Sequence, residues 1–431
     1  MKTSPLSRAM RSSLLCVLAA LHAALLSAAM GCAVARAQAP AALPPRGITV
    51  VETAPVETML DHPEVPDAWQ VWPEMIGRAR TALDVAGFYF SDEPGSRLEP
   101  VIAAIEEAGR RGVRVRVLGD AGFYGTYPAT LDRLAQGTNV RVRLVDYRAL
   151  TGGVMHAKYF VVDRREAYLG SQNFDWRALE HIHEIGLRVP FPEYAEELDR
   201  VFAMDWEEAS PLGEDAPLPE PRGPILVPEP RPPFAWIEAS GDTARFRPAM
   251  SPAGRLPDEA HWDLPQILAA LDEARDSVQV TLLTYNPTAR DKTVWTDLDE
   301  ALRRAGARGV RVRLLVADWC KRKPAIDHLK SLSEAPGLEV RLVTIPEASA
   351  GFIPFARVTH AKYATVDGRI CWVGTSNWEK SYFTAARNVG LIAWSRELTA
   401  ALDRDFRTLW HSPYAYAVDP GKDYAPPRIG A

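Results

Sequence analysis

His156-Ala157-Lys158-Tyr159 returns as His360-Ala361-Lys362-Tyr363, and in each copy a Gly-[Ser/Thr]-x-Asn string begins 14 residues after the histidine: Gly170-Ser171-Gln172-Asn173 and Gly374-Thr375-Ser376-Asn377. An aspartate occupies the same place in both, Asp163 and Asp367. A single His-x-Lys-x-x-x-x-Asp string carries little weight in a long chain, but two with a common downstream spacing point to an internal repeat. Working outward supports this. Val140-Arg141-Val142 aligns with Val340-Arg341-Leu342, Arg111 to Arg116 with Arg308 to Arg313, and Ala79 to Val85 with Ala274 to Val280. The offsets are 195, 197, 200 and 204 in chain order. They only grow, as in a duplication whose second copy gained loop residues.

Each copy reads as helix, strand, helix, strand, loop, strand. Leu98 to Arg110 and Leu298 to Arg308 carry apolar residues at helical spacing and stop near Gly112 and Gly309. Val113-x-Val115-x-Val117 and Val310-x-Val312-x-Leu314 alternate with arginine, as half-buried strands do. The fold class is α/β, with an α/β sandwich in each half. Between the copies, residues 211–233 contain nine prolines, a density that forbids a helix or central strand and marks a linker. The expected domains are therefore residues 48–210 and 234–431.

The chain has 431 residues, 47% hydrophobic and 24% charged, which is too long for one ordinary core and too apolar for disorder. Its 50 basic and 55 acidic residues leave a formal charge of -5, so any anion site must be local. Lys2, Arg8 and Arg11 precede an uncharged run from Ser12 to Ala35, and Ala35-Arg36-Ala37 has the form of a cleavage site. Residues 1–37 are expected to be an export signal, with an uncleaved membrane anchor as the alternative and 38–47 as a short linker. The expected location is periplasmic or secreted, or membrane-anchored if the segment stays. Beyond the leader only Cys320 and Cys371 remain, too few for a disulfide framework; they are either joined or buried as free thiols.

The paired motifs resemble those of the phospholipase D superfamily of phosphodiesterases. Gly170 to Arg177, Arg357-Val358-x-His360-x-Lys362-Tyr363, Gly374 to Trp378 and Ser381-Tyr382-Phe383-Thr384 are most similar to the animal lysosomal phospholipase D3-like and D4-like members. Phe88-Tyr89 and Ser412-Pro413-Tyr414 fit as well, and the resemblance runs from about residue 48 to about 418. It implies two repeats packed by a pseudo-twofold axis with one active site between them, so that a monomer suffices. It also implies a substrate that is either single-stranded nucleic acid, degraded from the 5′ end, or a phospholipid head group, the latter with possible membrane contact.

The residue types suit that chemistry. Phosphodiesters break very slowly in water, so a site must neutralise anionic oxygens while supplying a nucleophile and a proton for the leaving group. Two imidazoles, with unperturbed pKa of about 6.5, can divide this labour. Lys158 and Lys362 add positive charge, and Asn173, Asn377, Ser171 and Ser376 are candidate neutral donors to the phosphate oxygens. No metal or other cofactor is required. An alcohol acceptor in place of water would make the protein a phosphatidyltransferase of the cardiolipin synthase kind. Loss of a motif His or Lys would mark an inactive binding protein, and none is lost.

Eleven residues after Asn173 comes Glu184, and eleven after Asn377 comes Asn388. In the family an acidic residue near this point can hold the far nitrogen of a catalytic imidazole. The expectation is Glu184 on His156 and Asn388 on His360, making His156 the nucleophile and His360 the general acid. Asp163 and Asp367, each where a strand gives way to a turn, are expected to be structural. Phe174 and Trp378, one after each Asn, are either a wall for substrate or interface packing. His181-x-His183-Glu184 has metal-ligand residue types but no further ligand set, so no metal site is assigned. The strand arginines and Lys321-Arg322-Lys323 read as solvated faces rather than phosphate patches.

Overall fold

The computed structural model describes residues 47–213, 233–289 and 291–430. The leader, nearly all of the 38–47 connection and most of the proline-rich stretch fall outside the described residues. No helix among those described is long and apolar enough to cross a membrane.

The first repeat contributes β1 (Thr49–Thr53), β2 (Ala82–Gly87), β3 (Phe90–Ser91), β4 (Arg114–Asp120), β5 (Val140–Val145), β6 (Tyr159–Val162), β7 (Glu166–Gly170), β8 (Phe174–Asp175), β9 (Glu184–Val189) and β10 (Ser210–Pro211). The second contributes β11 (Phe234–Ile237), β12 (Thr243–Pro248), β13 (Ser277–Leu282), β14 (Arg311–Ala317), β15 (Leu338–Val343), β16 (Tyr363–Val366), β17 (Ile370–Gly374), β18 (Gly390–Trp394) and β19 (Ala415–Ala417). The sheet orders are β1-β9-β7-β6-β2-β4-β5-β10 and β11-β12-β18-β17-β16-β13-β14-β15-β19. Their centres correspond element for element in order and pairing: β9-β7-β6-β2-β4-β5 answers β18-β17-β16-β13-β14-β15, with the last three strands of each run parallel and the others antiparallel. The duplication read from the sequence is thus a duplication of topology.

Helices α1 (Ala68–Gly77), α2 (Glu99–Arg110) and α3 (Ala129–Ala135) share a core with one face of the first sheet, as α5 (Asp263–Glu273), α6 (Asp297–Ala307) and α7 (Ala325–Ser333) do with the second. The longer α4 (Pro192–Glu207) and α8 (Arg396–His411) close a third apolar cluster that draws on both sheets, with Phe202 and Trp206 from one and Phe406 and Trp410 from the other. Glycine stops act where expected: Gly112 and Gly309, just past α2 and α6, both have φ of 89°, a conformation that costs other residues more.

Two of the strand arginines are held by carboxylates and rings rather than by solvent, while Arg311 is exposed as expected. Arg116 is clamped by Asp84 at 2.6 Å and lies 4.7 Å over the Phe202 ring, while Arg313 pairs with Glu339 at 2.9 Å and lies 5.0 Å from Trp410. Their long stems pack under α4 and α8, so the alternating pattern serves the sheet–helix contact. Cys320 and Cys371 are separate buried thiols, and burial pushes each up to about 12.

The repeats join by two equivalent backbone bridges, Met155 to Arg387 and His183 to Thr359. Each bridge is anchored by a buried ion pair that also crosses between repeats. Arg387 donates to both carboxylate oxygens of Asp205 at 2.9 Å, and His183 Nε2 lies 2.9 Å from Asp405 Oδ1. Tyr147 and Tyr363 donate to the same two aspartates. Removing one member of such a pair strands the other charge in a dry interior, at a cost of about 3–5 kcal/mol.

The two anchors differ in titration. Burial opposes the charged form of His183, but Asp405 outweighs it and the net shift is upward. Stability from this pair is therefore complete below about pH 6.5, the unfolded value, and is lost as pH rises through the raised folded one. His183→Gln should accordingly lower the melting temperature most near pH 6, with the difference from the parent shrinking toward pH 9. A difference that does not change with pH would contradict the assignment.

Candidate active site

The stretches leading into β6 and β16 carry His156-x-Lys158 and His360-x-Lys362, and the cross-repeat bridges draw them together. His156 N donates to Arg387 O at 2.9 Å, and His360 N donates to His183 O at 2.8 Å. All four side chains are buried. Each lysine donates back to the carbonyl of its own motif histidine, leaving two ammonium protons for a ligand. The two motifs act on one another electrostatically: burial, Lys158 and Lys362 hold both imidazoles well below their ordinary range, and His360 adds to the effect on His156. Burial likewise lowers both lysines, Lys362 to about 7. An anionic phosphate entering this pocket would reverse these shifts, since opposite charge favours the protonated bases.

The imidazole partners are exchanged relative to the sequence expectation. His360 Nδ1 lies 2.8 Å from Glu184 Oε2, and His156 Nδ1 lies 3.0 Å from Asn388 Oδ1. Glu184 does not serve His156. The cause is the crossing: Glu184 follows His183, which is bridged to Thr359 beside His360, and Asn388 follows Arg387, which is bridged to Met155 beside His156. Asn388 Nδ2 donates to Tyr382 O at 2.7 Å, which turns the amide oxygen toward His156. Both rings thus carry their proton on Nδ1, and both Nε2 atoms are left for chemistry. Burial raises Glu184 to about 7, opposed by the two lysines.

The other predicted residues have different surroundings. Asn173 Nδ2 reaches the Tyr89 hydroxyl at 3.4 Å, and Asn377 Oδ1 accepts from Thr284 N at 3.4 Å. Both long contacts leave the amides only weakly held. Ser171 and Ser376 are corrected from phosphate donors to internal clasps: Ser171 Oγ exchanges hydrogen bonds with the Ile185 backbone at 3.1 Å, and Ser376 donates to Asp263 at 2.9 Å. Phe174 and Trp378 are not a substrate wall. Phe174 stacks on Phe90 at 4.8 Å and packs against Trp72, and Trp378 is buried near Trp372, because the residue after each Asn points the opposite way, into the outer core.

The rings that do border the site are Phe88, 5.1 Å from His156, and Tyr382, 4.9 Å from it. Phe123 packs on Phe88, and Tyr89 stacks with Phe123 and Tyr127. Phe88 directly follows the parallel strand β2, and Phe123 lies three residues past the end of the parallel strand β4. That is the end of a sheet where ligands bind, and this signal could have located them.

His181 and His183 do not form a metal cluster with Glu184: His183 is spent on Thr359 and Asp405, and His181 lies edge-on to Trp176. Among the described residues one group, Glu52, His62 and Asp405, brings ligand-type atoms within 4.8 Å of one another. Its atoms are joined by hydrogen bonds, His62 to Glu52 and Asp405 to His183 and Tyr363. Lys321 pairs with Asp318, and Lys323 with Asp327.

Two imidazoles, two lysines and one carboxylate, contributed by symmetric halves, define a phosphoryl-transfer site of the two-histidine kind. The chain belongs to the phospholipase D superfamily: the family described as cardiolipin synthase, PLD-like domain, matches it twice, over residues 73–206 and 267–410. It is 32% identical over 394 residues to the 5'-3' exonuclease PLD3 of Rattus norvegicus, covering 83% of this chain and 77% of that protein. It is 29% identical to phospholipase D Z of Dictyostelium discoideum, covering 80% and 85%. Among solved structures, phosphatidylserine synthase of Haemophilus influenzae shares the fold, with a TM-score of 0.56 at 13% identity over 81% of this chain and 85% of that one.

The motif aspartates stand outside the pocket. Asp163 accepts from the backbone N–H groups of Arg80, Thr81 and Ala82, and Asp367 from those of Arg275, Asp276 and Ser277. Each pins the entry to the strand beside its motif. Asp367→Ala should lower unfolding free energy in urea by about 2 kcal/mol, the scale for losing charged hydrogen bonds to backbone donors. A change within 0.5 kcal/mol would contradict this role.

Proposed function

We propose that the protein is an exported, metal-independent phosphodiester hydrolase acting on single-stranded nucleic acid from its 5′ end through a covalent phosphohistidine. The observation that carries the chemistry is the asymmetric pair of dyads, His360–Glu184 and His156–Asn388, beside two lysines. Nucleic acid is favoured over lipid by the ring cluster at His156 and by the exonuclease names of PLD3 and PLD4 relatives, the latter at 30% identity in Mus musculus.

His360 is the nucleophile in this reading, the reverse of the sequence expectation. Its Nε2 attacks phosphorus as the bond to the leaving oxygen breaks. Phosphorylation makes the ring cationic, and the Glu184 carboxylate against Nδ1–H stabilises that charge. His156, protonated once the anionic diester is bound, gives its Nε2 proton to the leaving oxygen. Its neutral Asn388 partner fixes the ring without holding the proton. Water then attacks phosphorus, His156 takes a proton from it, and the P–N bond electrons return to His360. Lys158 and Lys362 offset charge on the non-bridging oxygens.

The test is turnover of 5′-hydroxyl single-stranded DNA and of mixed phospholipid vesicles, both with chelator. DNA cleavage with chelator present, lost in His156→Ala and His360→Ala, is expected. A need for divalent ions, survival of either variant, or turnover of vesicles alone would overturn the reading. Glu184→Gln should reduce kcat on the order of 10²-fold, and acid-quenched protein should carry phosphate on His360. Phosphate mapped to His156 would restore the opposite assignment.

A further inference from the structure

The surroundings of the two catalytic histidines are not symmetric, although the strands that hold them are. Phe88 follows β2 directly, and its counterpart after β13 is Leu283. In the same register Tyr89 answers Thr284, and Phe123, after β4, answers Cys320. Around His156 the rings form a continuous series: Phe88 at 5.1 Å from the imidazole, Phe123 at 4.1 Å from Phe88, Tyr89 stacked at 5.9 Å on Phe123, and Tyr127 stacked at 4.8 Å on Tyr89. All four are only partly buried, so the series keeps an open side. Arg177, held by Asp175, lies 5.8 Å from the Tyr127 ring at its outer end. The corresponding part of the second repeat is aliphatic: Leu283 and Val358 pack with Ile182 and Ala317, and Trp319 is the one ring among the described residues packed against them.

We infer that the ring series from Phe88 to Tyr127 is a subsite for the leaving nucleoside, stacking the first base beyond the scissile bond, while the aliphatic side receives the part retained on the enzyme. This rests on the function proposed above. A general acid must sit at the leaving oxygen, and in-line displacement puts that oxygen opposite the nucleophile. If His156 is the acid, the departing group emerges past the rings that touch His156. Planar bases stack on such rings whatever their identity, which suits an exonuclease that meets each base in turn. A flexible lipid glycerol or choline group gains less from them.

The experiment compares the dinucleotide dTpdT with the diester in which its leaving nucleoside is replaced by methanol, using the full-length protein and its Phe123→Ala and Tyr127→Ala variants. Phe123→Leu, which keeps apolar volume, guards against a variant that fails to fold. The parent's preference in kcat/KM for dTpdT over the methyl ester should fall about tenfold in each ring variant. Rapid-quench breakdown of the phosphoenzyme should be no slower, because the leaving nucleoside has by then departed. An unchanged preference, or slowed breakdown, would overturn the inference and assign the rings to the retained nucleotide or to shaping the pocket. Failure of the parent to cleave dTpdT at all would instead refute the underlying function, and with it this subsite.

Discussion

The active site depends on a crossing. At two equivalent points a residue of one repeat is bridged to the other, Met155 with Arg387 and His183 with Thr359. The residue after each bridge is a motif histidine on one side and its hydrogen-bond partner on the other. Neither repeat can orient its own imidazole. The ion pairs that lock the crossing, Arg387 with Asp205 and His183 with Asp405, are buried and also span the repeats, so the geometry of the chemistry and the docking of the halves are one constraint. The central apolar cluster drawn from both sheets supplies adhesion. The ion pairs supply register, the role in which buried charges are best attested.

Around this symmetric frame the chemistry is uneven. One imidazole is backed by a carboxylate and the other by an amide. One is flanked by rings, whereas the positions equivalent to Phe88 and Phe123 in the second repeat are Leu283 and Cys320. The lysines equalise the two sides, each held by its own histidine's carbonyl. Burial drives all of these bases toward neutrality, and an anionic ligand among them would favour their protonated forms.

Much of this was legible in the sequence. The repeat could be read because strand residues such as Val113-x-Val115 and Val310-x-Val312 must alternate in the same way to face the same layers. The His-Lys pairs could be read because both copies carry them at the same distance from a Gly-[Ser/Thr]-x-Asn string. The exchange of Glu184 and Asn388 could not, because an offset between copies is identical whether a side chain serves its own repeat or the other. Phe174 and Trp378 misled through proximity. Each adjoins a motif Asn, but alternation turns it to the opposite face, while Phe88, distant from the motif in sequence, stands beside His156 with Phe123 packed on it. Ser171 and Ser376 were recognisable as polar and near; only the partner atoms show that their protons are already used.

The linker between the copies has an evolutionary reading. A pair of identical subunits assembled with this crossing would be bound to present the same residue behind both histidines, and so could not separate a nucleophile from an acid except by substrate binding. Joined in one chain, the copies are free to diverge: Glu184 and Asn388, Phe88 and Leu283, Arg387 and His183 are each a single ancestral position split in two. Fusion converts a symmetric vessel into one with a front and a back.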